Sequence, residues 1–154
     1  MQTIKRMIDH QIWADKQLLA GLRANGGSPA DAVRLMRHLA TAEQVWITRL
    51  NGQSSAHLQL WTDDADLDSL EQLLASNEAS YRTYADDLTE EKLDEMVSYA
   101  NQSGVMFGTS VRDILSQVVL HGQYHRGQIN RALKEAGGTP QALDYILYAR
   151  MQQQ

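Results

Sequence analysis

Two imidazoles stand four residues apart in the run Val118-Val119-Leu120-His121-Gly122-Gln123-Tyr124-His125-Arg126-Gly127-Gln128-Ile129. On a 3.6-residue period both fall on one helix face, about one turn apart. Two histidines can grip one metal ion at that spacing. Val111, Ile114, Val118, His121, His125 and Ala132 step by three and four like the inner seam of a bundle, with Gln128 the other polar member. The pattern therefore predicts inward-pointing histidines. A third, His38, falls on or beside the apolar stripe of an earlier helical stretch. Three neutral imidazoles would form a nitrogen-only site suited to zinc, nickel, iron or copper, with positions left open for water or substrate.

Each of these residues has a plainer explanation. His-x3-His pairs occur on helices that bind no metal, and a lone histidine on an apolar face is more often a hydrogen-bonded core residue. The coincidence shifts the balance: two in-facing histidines on one helix and a third on another, in a chain with 5 histidines. Buried ring nitrogens cost desolvation unless something satisfies them, and a metal does so. A zinc-protease helix needs a glutamate directly after its first histidine. Gly122 occupies that place, which disfavours proteolysis.

Four amphipathic helices would have to position these groups. The first runs from Thr3 to Ala24 on Ile4, Met7, Ile8, Ile12, Leu18, Leu19 and Leu22, and Asn25-Gly26-Gly27 stops it. Gln11 and Asp15 border its stripe and read as boundary positions or as polar groups facing a site; His10 reads as solvated. Ser28 caps the second helix, with Pro29 at its first position, and Asn51-Gly52 ends it after Leu50. Gln53 to Asp66 is a long polar loop, of the kind that is functional or lies across a core; Trp61 reads as a plug and His57 as solvated. Leu67, Leu70, Leu74, Tyr81, Tyr84 and Leu88 mark a third helix capped by Asp66 or Asp68, with Asn77 inside its seam. A short capped turn at Thr89 and a β-hairpin around Asn101-Gln102-Ser103-Gly104 precede the fourth helix, which Thr109 or Ser110 caps and Gly137-Gly138 ends. Pro140 is expected to open a short terminal helix, followed by a frayed Gln152-Gln153-Gln154 tail.

The fold class is therefore all-α, a four-helix bundle. A chain of 154 residues, 43% hydrophobic and 21% charged, is expected to form a single domain over 1–154 with a substantial core. A net charge of -5 with scattered arginines gives no footprint for a polyanion, so nucleic acid is not an expected partner. No apolar run approaches the roughly 20 residues of a membrane span, and the first ten residues lack the apolar core of a signal peptide. No membrane partner and a cytoplasmic location follow as expectations. The chain has no cysteine, so any thiol chemistry needs a thiol from outside.

The sequence resembles the DinB-like (YfiT-like) metalloenzyme family. The resemblance rests on Arg37-His38-Leu39-Ala40-Thr41-Ala42-Glu43-Gln44-Val45-Trp46 with Arg49-Leu50-Asn51-Gly52, and on His121-Gly122-Gln123-Tyr124-His125-Arg126-Gly127-Gln128. Trp13-Ala14-Asp15 and Asp144-Tyr145-Ile146-Leu147-Tyr148 extend it over nearly the whole chain. It implies an antiparallel bundle in up-down-down-up order, with a long connection between helices two and three. It also implies a divalent metal held by His38, His121 and His125, zinc or nickel first, with iron, manganese or copper as alternatives. Homodimers are frequent in that family, and its name reflects damage-inducible expression, a stress response, rather than DNA binding.

Characterised members of the family include transferases and isomerases that use a low-molecular-weight thiol as cosubstrate. The expected activity is accordingly a thiol S-transferase acting on a small-molecule substrate, in which the metal activates the thiol. Asp15, Asn77, Tyr124 and Gln128 are the polar groups expected to line the cavity and orient ligands; no residue stands out as catalytic. Arg126 is expected to pair with a carboxylate, and Gly122 and Gly127 to mark close packing or room for a ligand. Two other readings remain: a hydrolase in which the metal activates water, weakened by the lack of an evident carboxylate base, and a non-catalytic metal-binding dimer.

Overall fold

In the computed structural model, which describes residues 1–26, 29–63 and 66–153, every amphipathic stretch of the sequence becomes a helix. They are α1 (Gln2–Ala24), α2 (Ala30–Leu50), α3 (Leu67–Asp86), the one-turn α4 (Glu90–Leu93), α5 (Val111–Glu135) and α6 (Tyr145–Met151), with strands β1 (Met96–Ala100) and β2 (Met106–Ser110) ahead of α5. The strands pair antiparallel, Met96 opposite Ser110 and Ala100 opposite Met106. None of the described helices is long and apolar enough to cross a membrane.

Side-chain oxygens set the helix starts. Asp66 accepts from the backbone of Asp68 and Ser69, Thr89 from Lys92 and Ser110 from Asp113, each satisfying an amide that the helix leaves unpaired. The Ser28 cap expected for α2 lies outside the described residues. At the end of α5, Gly137 takes φ +81 and Gly138 N–H donates to Leu133 O at 2.8 Å, a Schellman closure that needs glycine.

Helix directions follow from the pairs that bridge them. Between α1 and α3, Asp9 meets Arg82, Lys16 meets Glu78 and Arg23 meets Glu71, so these two run antiparallel. Arg37 reaches Ser69 and Tyr81 reaches the Glu43 carbonyl, so α2 and α3 run parallel. Arg126 meets Asp15 while Gly138, beyond the end of α5, lies against Asn25 at the end of α1, so those two are also parallel. The bundle is up-down-down-up. Because α2 and α3 point the same way, the loop 51–66 must climb back along a helix about 30 Å long, which explains its length.

Two apolar clusters fill the ends of the bundle. One gathers Leu18, Leu22, Met36, Leu39, Leu70, Ile129 and Leu133; the other Ile8, Ile12, Ile47, Tyr81, Ile114, Leu115 and Val118. Between them lies a buried polar layer of Gln11, Asp15, Glu43, Asn77 and Arg126. Arg126, 1% exposed, donates from Nε and Nη2 to Asp15 Oδ1 at 3.0 and 2.9 Å, and its Nη2 lies 3.7 Å from Glu43 Oε1.

Several expectations are corrected. Gln11 and Asp15 are not boundary residues but fully inside. His10 is buried, not solvated: Nε2 donates to Leu143 O at 2.7 Å, and Trp13, Tyr145 and Tyr148 surround the ring because the C-terminal segment folds over this face of α1. The terminal helix begins at Tyr145, not at Pro140. Asn130 takes both the N–H and the C=O of Gln141 at 2.8 Å, which holds that stretch extended. On α5 the deepest line is Leu115, Gly122, Arg126, Ile129 and Leu133, and the histidines flank it.

Replacing Arg126 by Met should leave two buried carboxyls without their cation and lower the unfolding free energy by about 3–5 kcal/mol. Urea denaturation of the single variant measures this, and adding Asp15→Asn should recover part of the loss.

Candidate metal centre

The line of α5 that carries His121 and His125 faces α2, where His38 sits one turn beyond the Arg34 position. His38 and His125 are buried and His121 half-buried. One ring nitrogen from each lies within 4.8 Å of the others. His125 Nε2 stands 3.1 Å from His121 Nε2, and the His38 ring centroid lies 4.7 Å from that of His125 and 5.5 Å from that of His121.

Hydrogen bonds set the tautomers. A carbonyl only accepts, so the 2.9 Å contact to Leu60 O puts the proton of His38 on Nδ1. His125 Nδ1 likewise donates to Gln128 Oε1 at 2.7 Å. Both rings are left with Nε2 as a lone-pair donor, oriented by outer partners in the way metal-bound histidines are. Burial drives the His121 pKa down to about 4, helped by His125, His38 and Arg126. Burial also lowers His38, with the Leu60 carbonyl opposing and His125 adding to the effect. Neutral imidazoles with converging lone pairs are the state a metal requires. Nitrogens bound to one metal at about 2.0–2.1 Å stand roughly 3.0–3.4 Å apart, and the His121–His125 separation already fits. The described residues can therefore hold a metal ion.

His38 and His121 open onto a groove of about 560 Å³ between α2, α5 and the hairpin, lined also by Trp46, Arg49, Gln117 and the turn residues Asn101, Gln102 and Ser103. Arg49 donates from Nε to Ser55 Oγ at 3.0 Å, and its guanidinium lies over the rings of Trp46 and Tyr99 at 4.8 and 4.6 Å, a cation–π arrangement. Trp61 is not a core plug. It is 50% exposed and stacks on His38 at 3.8 Å with the planes 8° apart.

The expected orienting groups divide. Gln128 holds His125, and Tyr124, 65% exposed, sets its ring at 5.1 Å beside His125 on the outer side. Asp15 and Asn77 lie elsewhere. Asp15 pairs with Arg126, Asn77 Nδ2 donates to Ala40 O at 2.8 Å, and both line a different cavity between α1 and α3. His57 is exposed. Gly122 marks close packing, since a Cβ there would meet Arg126 Nη1 at 2.9 Å, whereas Gly127 has open space. Sequence reasoning missed Arg49, Gln117, the hairpin turn and the Leu60 carbonyl. The length of the 53–66 loop was the one signal that pointed toward Leu60 and Trp61.

A sequence model of the DinB family matches residues 16–154. Protein DinB of Bacillus subtilis (strain 168) is 23% identical over 163 residues, covering 95% of this chain and 93% of that protein. The crystal structure of a DinB-like protein from Bacillus cereus ATCC 10987 superposes with a TM-score of 0.70 at 12% identity, over 94% of this chain and 97% of that one, so the two share a fold. With the family pattern extending from the middle of α1 to the last residue, the chain belongs to the DinB family.

Proposed function

We propose that the chain is a divalent-metal-dependent thiol S-transferase, with zinc or nickel as the first candidates for the metal. The observation that carries this reading is a set of three imidazoles with converging ring nitrogens, two of which, His38 and His121, open onto a groove whose lining contains no aspartate or glutamate. A metal bound there lowers the pKa of a coordinated thiol, so that thiolate forms at neutral pH.

The remaining work falls to the chain's own residues. His38, His121 and His125 provide the ligand nitrogens. Leu60 and Gln128 fix two of the rings, and Trp61 covers one face of His38 against water. Arg49, packed against the Trp46 and Tyr99 rings in the groove lining, suits the carboxylate of a peptide-like thiol. Asn101, Gln102 and Ser103 offer hydrogen bonds at the rim. The chain has no thiol of its own, so the nucleophile comes from the cosubstrate. Its sulfur forms the new bond to carbon, and the leaving group departs with the electron pair and a proton. A hydrolase would need a base to take a proton from water, and the groove lining offers no carboxylate for it.

Elemental analysis of the purified protein should find about one metal per chain; His38→Ala, His121→Ala and His125→Ala should each lose it, and the spectrum of the cobalt-substituted protein should shift on titration with a low-molecular-weight thiol. Stoichiometric metal in the variant lacking all three histidines would end the triad reading, and a spectrum indifferent to every thiol would end the transferase reading.

Gln128→Ala removes the acceptor of His125 Nδ1–H without touching a ligand nitrogen. It should weaken metal binding about 10–100-fold, measured by competition with a chromogenic chelator.

The pH dependence of the metal-free protein has a defined sign. Unfolded His121 takes a proton near the ordinary histidine value, whereas the folded residue does so only at about 4. Between these values the unfolded state binds more protons, so this group's share of stability is intact above the unfolded pKa and is lost as pH falls through that window. Going from pH 7 to pH 5, the metal-free protein should lose about 1–2 kcal/mol more than metal-free His121→Gln. Urea melts at the two pH values decide this, and equal losses would contradict a desolvated His121.

A further inference from the structure

Two arginines are buried among the described residues, and the protein answers them differently. Arg126 meets the carboxyls of Asp15 and Glu43. Arg49, 7% exposed, pairs with no described carboxylate; burial lowers its pKa, and Tyr99 is the one group that opposes this. Its Nε is spent on the buried Ser55 hydroxyl, and its guanidinium packs on Trp46 and Tyr99. Nη1 and Nη2 donate to no described residue, and neither is sealed from solvent. Arg49 lines the histidine groove, which gives these free N–H groups a route to a ligand. Withdrawing a permanent cation from water is costly unless an anion answers it, and the rings and one hydroxyl supply none.

The groove also sets where that anion sits. His38, Ala42, Val45 and Arg49 all line it and step by four, three and four along α2, so the imidazole and the guanidinium share one helix face. Eleven residues separate them, about three turns or roughly 16 Å along the axis. A metal bond at one end and an ion pair at the other take up about 5 Å of this, leaving about 11 Å for the ligand itself. The lining has no lysine and no second arginine. One guanidinium with a free Nη1–Nη2 edge matches the single charge and planar fork of a carboxylate better than a phosphate dianion.

We infer that Arg49 forms an anion subsite, and that the groove selects ligands carrying a carboxylate about 11 Å from the atom that meets the metal. This deepens the thiol-transferase reading and rests on it for the metal-bound end. The cosubstrate is held at both ends and chosen by its length as well as by its thiol. A thiol that falls short of the span, or that lacks the distal carboxylate, loses one of two anchors.

The test is thiol titration of the cobalt-substituted protein, read from the cobalt spectrum. ω-Mercaptooctanoate should bind at least tenfold more tightly than ω-mercaptooctanol. ω-Mercaptobutyrate, too short to reach Arg49, should show no such advantage over ω-mercaptobutanol. Arg49→Met should abolish the advantage of the long acid while leaving metal content and the affinity for ω-mercaptooctanol unchanged; an arginine that only holds the fold together would weaken all four thiols alike. Equal binding of the long pair, the same advantage in the short pair, or an advantage that survives Arg49→Met overturns the proposal. If Arg49→Met fails to fold, the contrast between the two pairs decides alone. Failure of the thiol reading is separable. Octanoate, which has no thiol, should change Trp46 emission in the metal-free protein by pairing with the guanidinium 4.8 Å from that ring, and octanol should not. That response beside a cobalt spectrum indifferent to every thiol removes the transferase and keeps the subsite; silence of both removes the subsite too.

Discussion

A guanidinium with 1% of its surface exposed constrains everything around it. Arg126 cannot shed its charge, so the interior must answer it. Asp15 does so from α1, Glu43 from α2, and the Gln11 carbonyl contributes a long contact. Gly122, one turn earlier on α5, leaves the space the guanidinium occupies. Satisfying these groups together fixes the rotation of α5 about its own axis. His125 is the preceding residue, about 100° around the helix, and that rotation turns it and His121 toward α2. The ionic layer thus acts as the register mark that brings three imidazoles to one level. Buried ionic groups are better at specifying an arrangement than at adding stability, and that role fits here.

The bundle consequently gathers polar groups toward two faces at the same height. Between α2, α5 and the hairpin, nitrogen lone pairs converge; between α1 and α3, carboxyl and amide oxygens do. The same cross-section supplies both, because the residues that separate the two apolar clusters are the ones that cannot be satisfied by packing alone.

Much of this was legible in the residues. Helical periodicity, the Asn-Gly and Gly-Gly stops and the hairpin turn locate nearly every element, because those signals are local. The clustering of three histidines is legible because His121 and His125 share a face and a third in-facing histidine, His38, stands on another helix. What was not legible depends on chain segments far apart in sequence. His10 reads as solvated on its own helix and becomes buried only when Leu143, Tyr145 and Tyr148 arrive over it. Pro140 favours a helix start locally, and Asn130, ten residues earlier, overrules it by taking the backbone of Gln141. Asp15 and Asn77 are both buried, but a helical wheel cannot say which of two cavities a residue faces. The Leu60 carbonyl is a backbone atom and leaves no mark in a side-chain pattern.

The loop from residue 51 to 66 is a topological necessity of two parallel neighbours, yet it lays its backbone and an indole on one imidazole. The Leu60 carbonyl accepts the hydrogen bond from His38 Nδ1–H, and Trp61 covers the ring plane. The conformation of this surface segment and the orientation of a ligand nitrogen are therefore a single equilibrium. By reciprocity of coupled free energies, whatever secures the ring quiets the loop, and whatever grips the loop from outside is felt, to the same extent, at the ring.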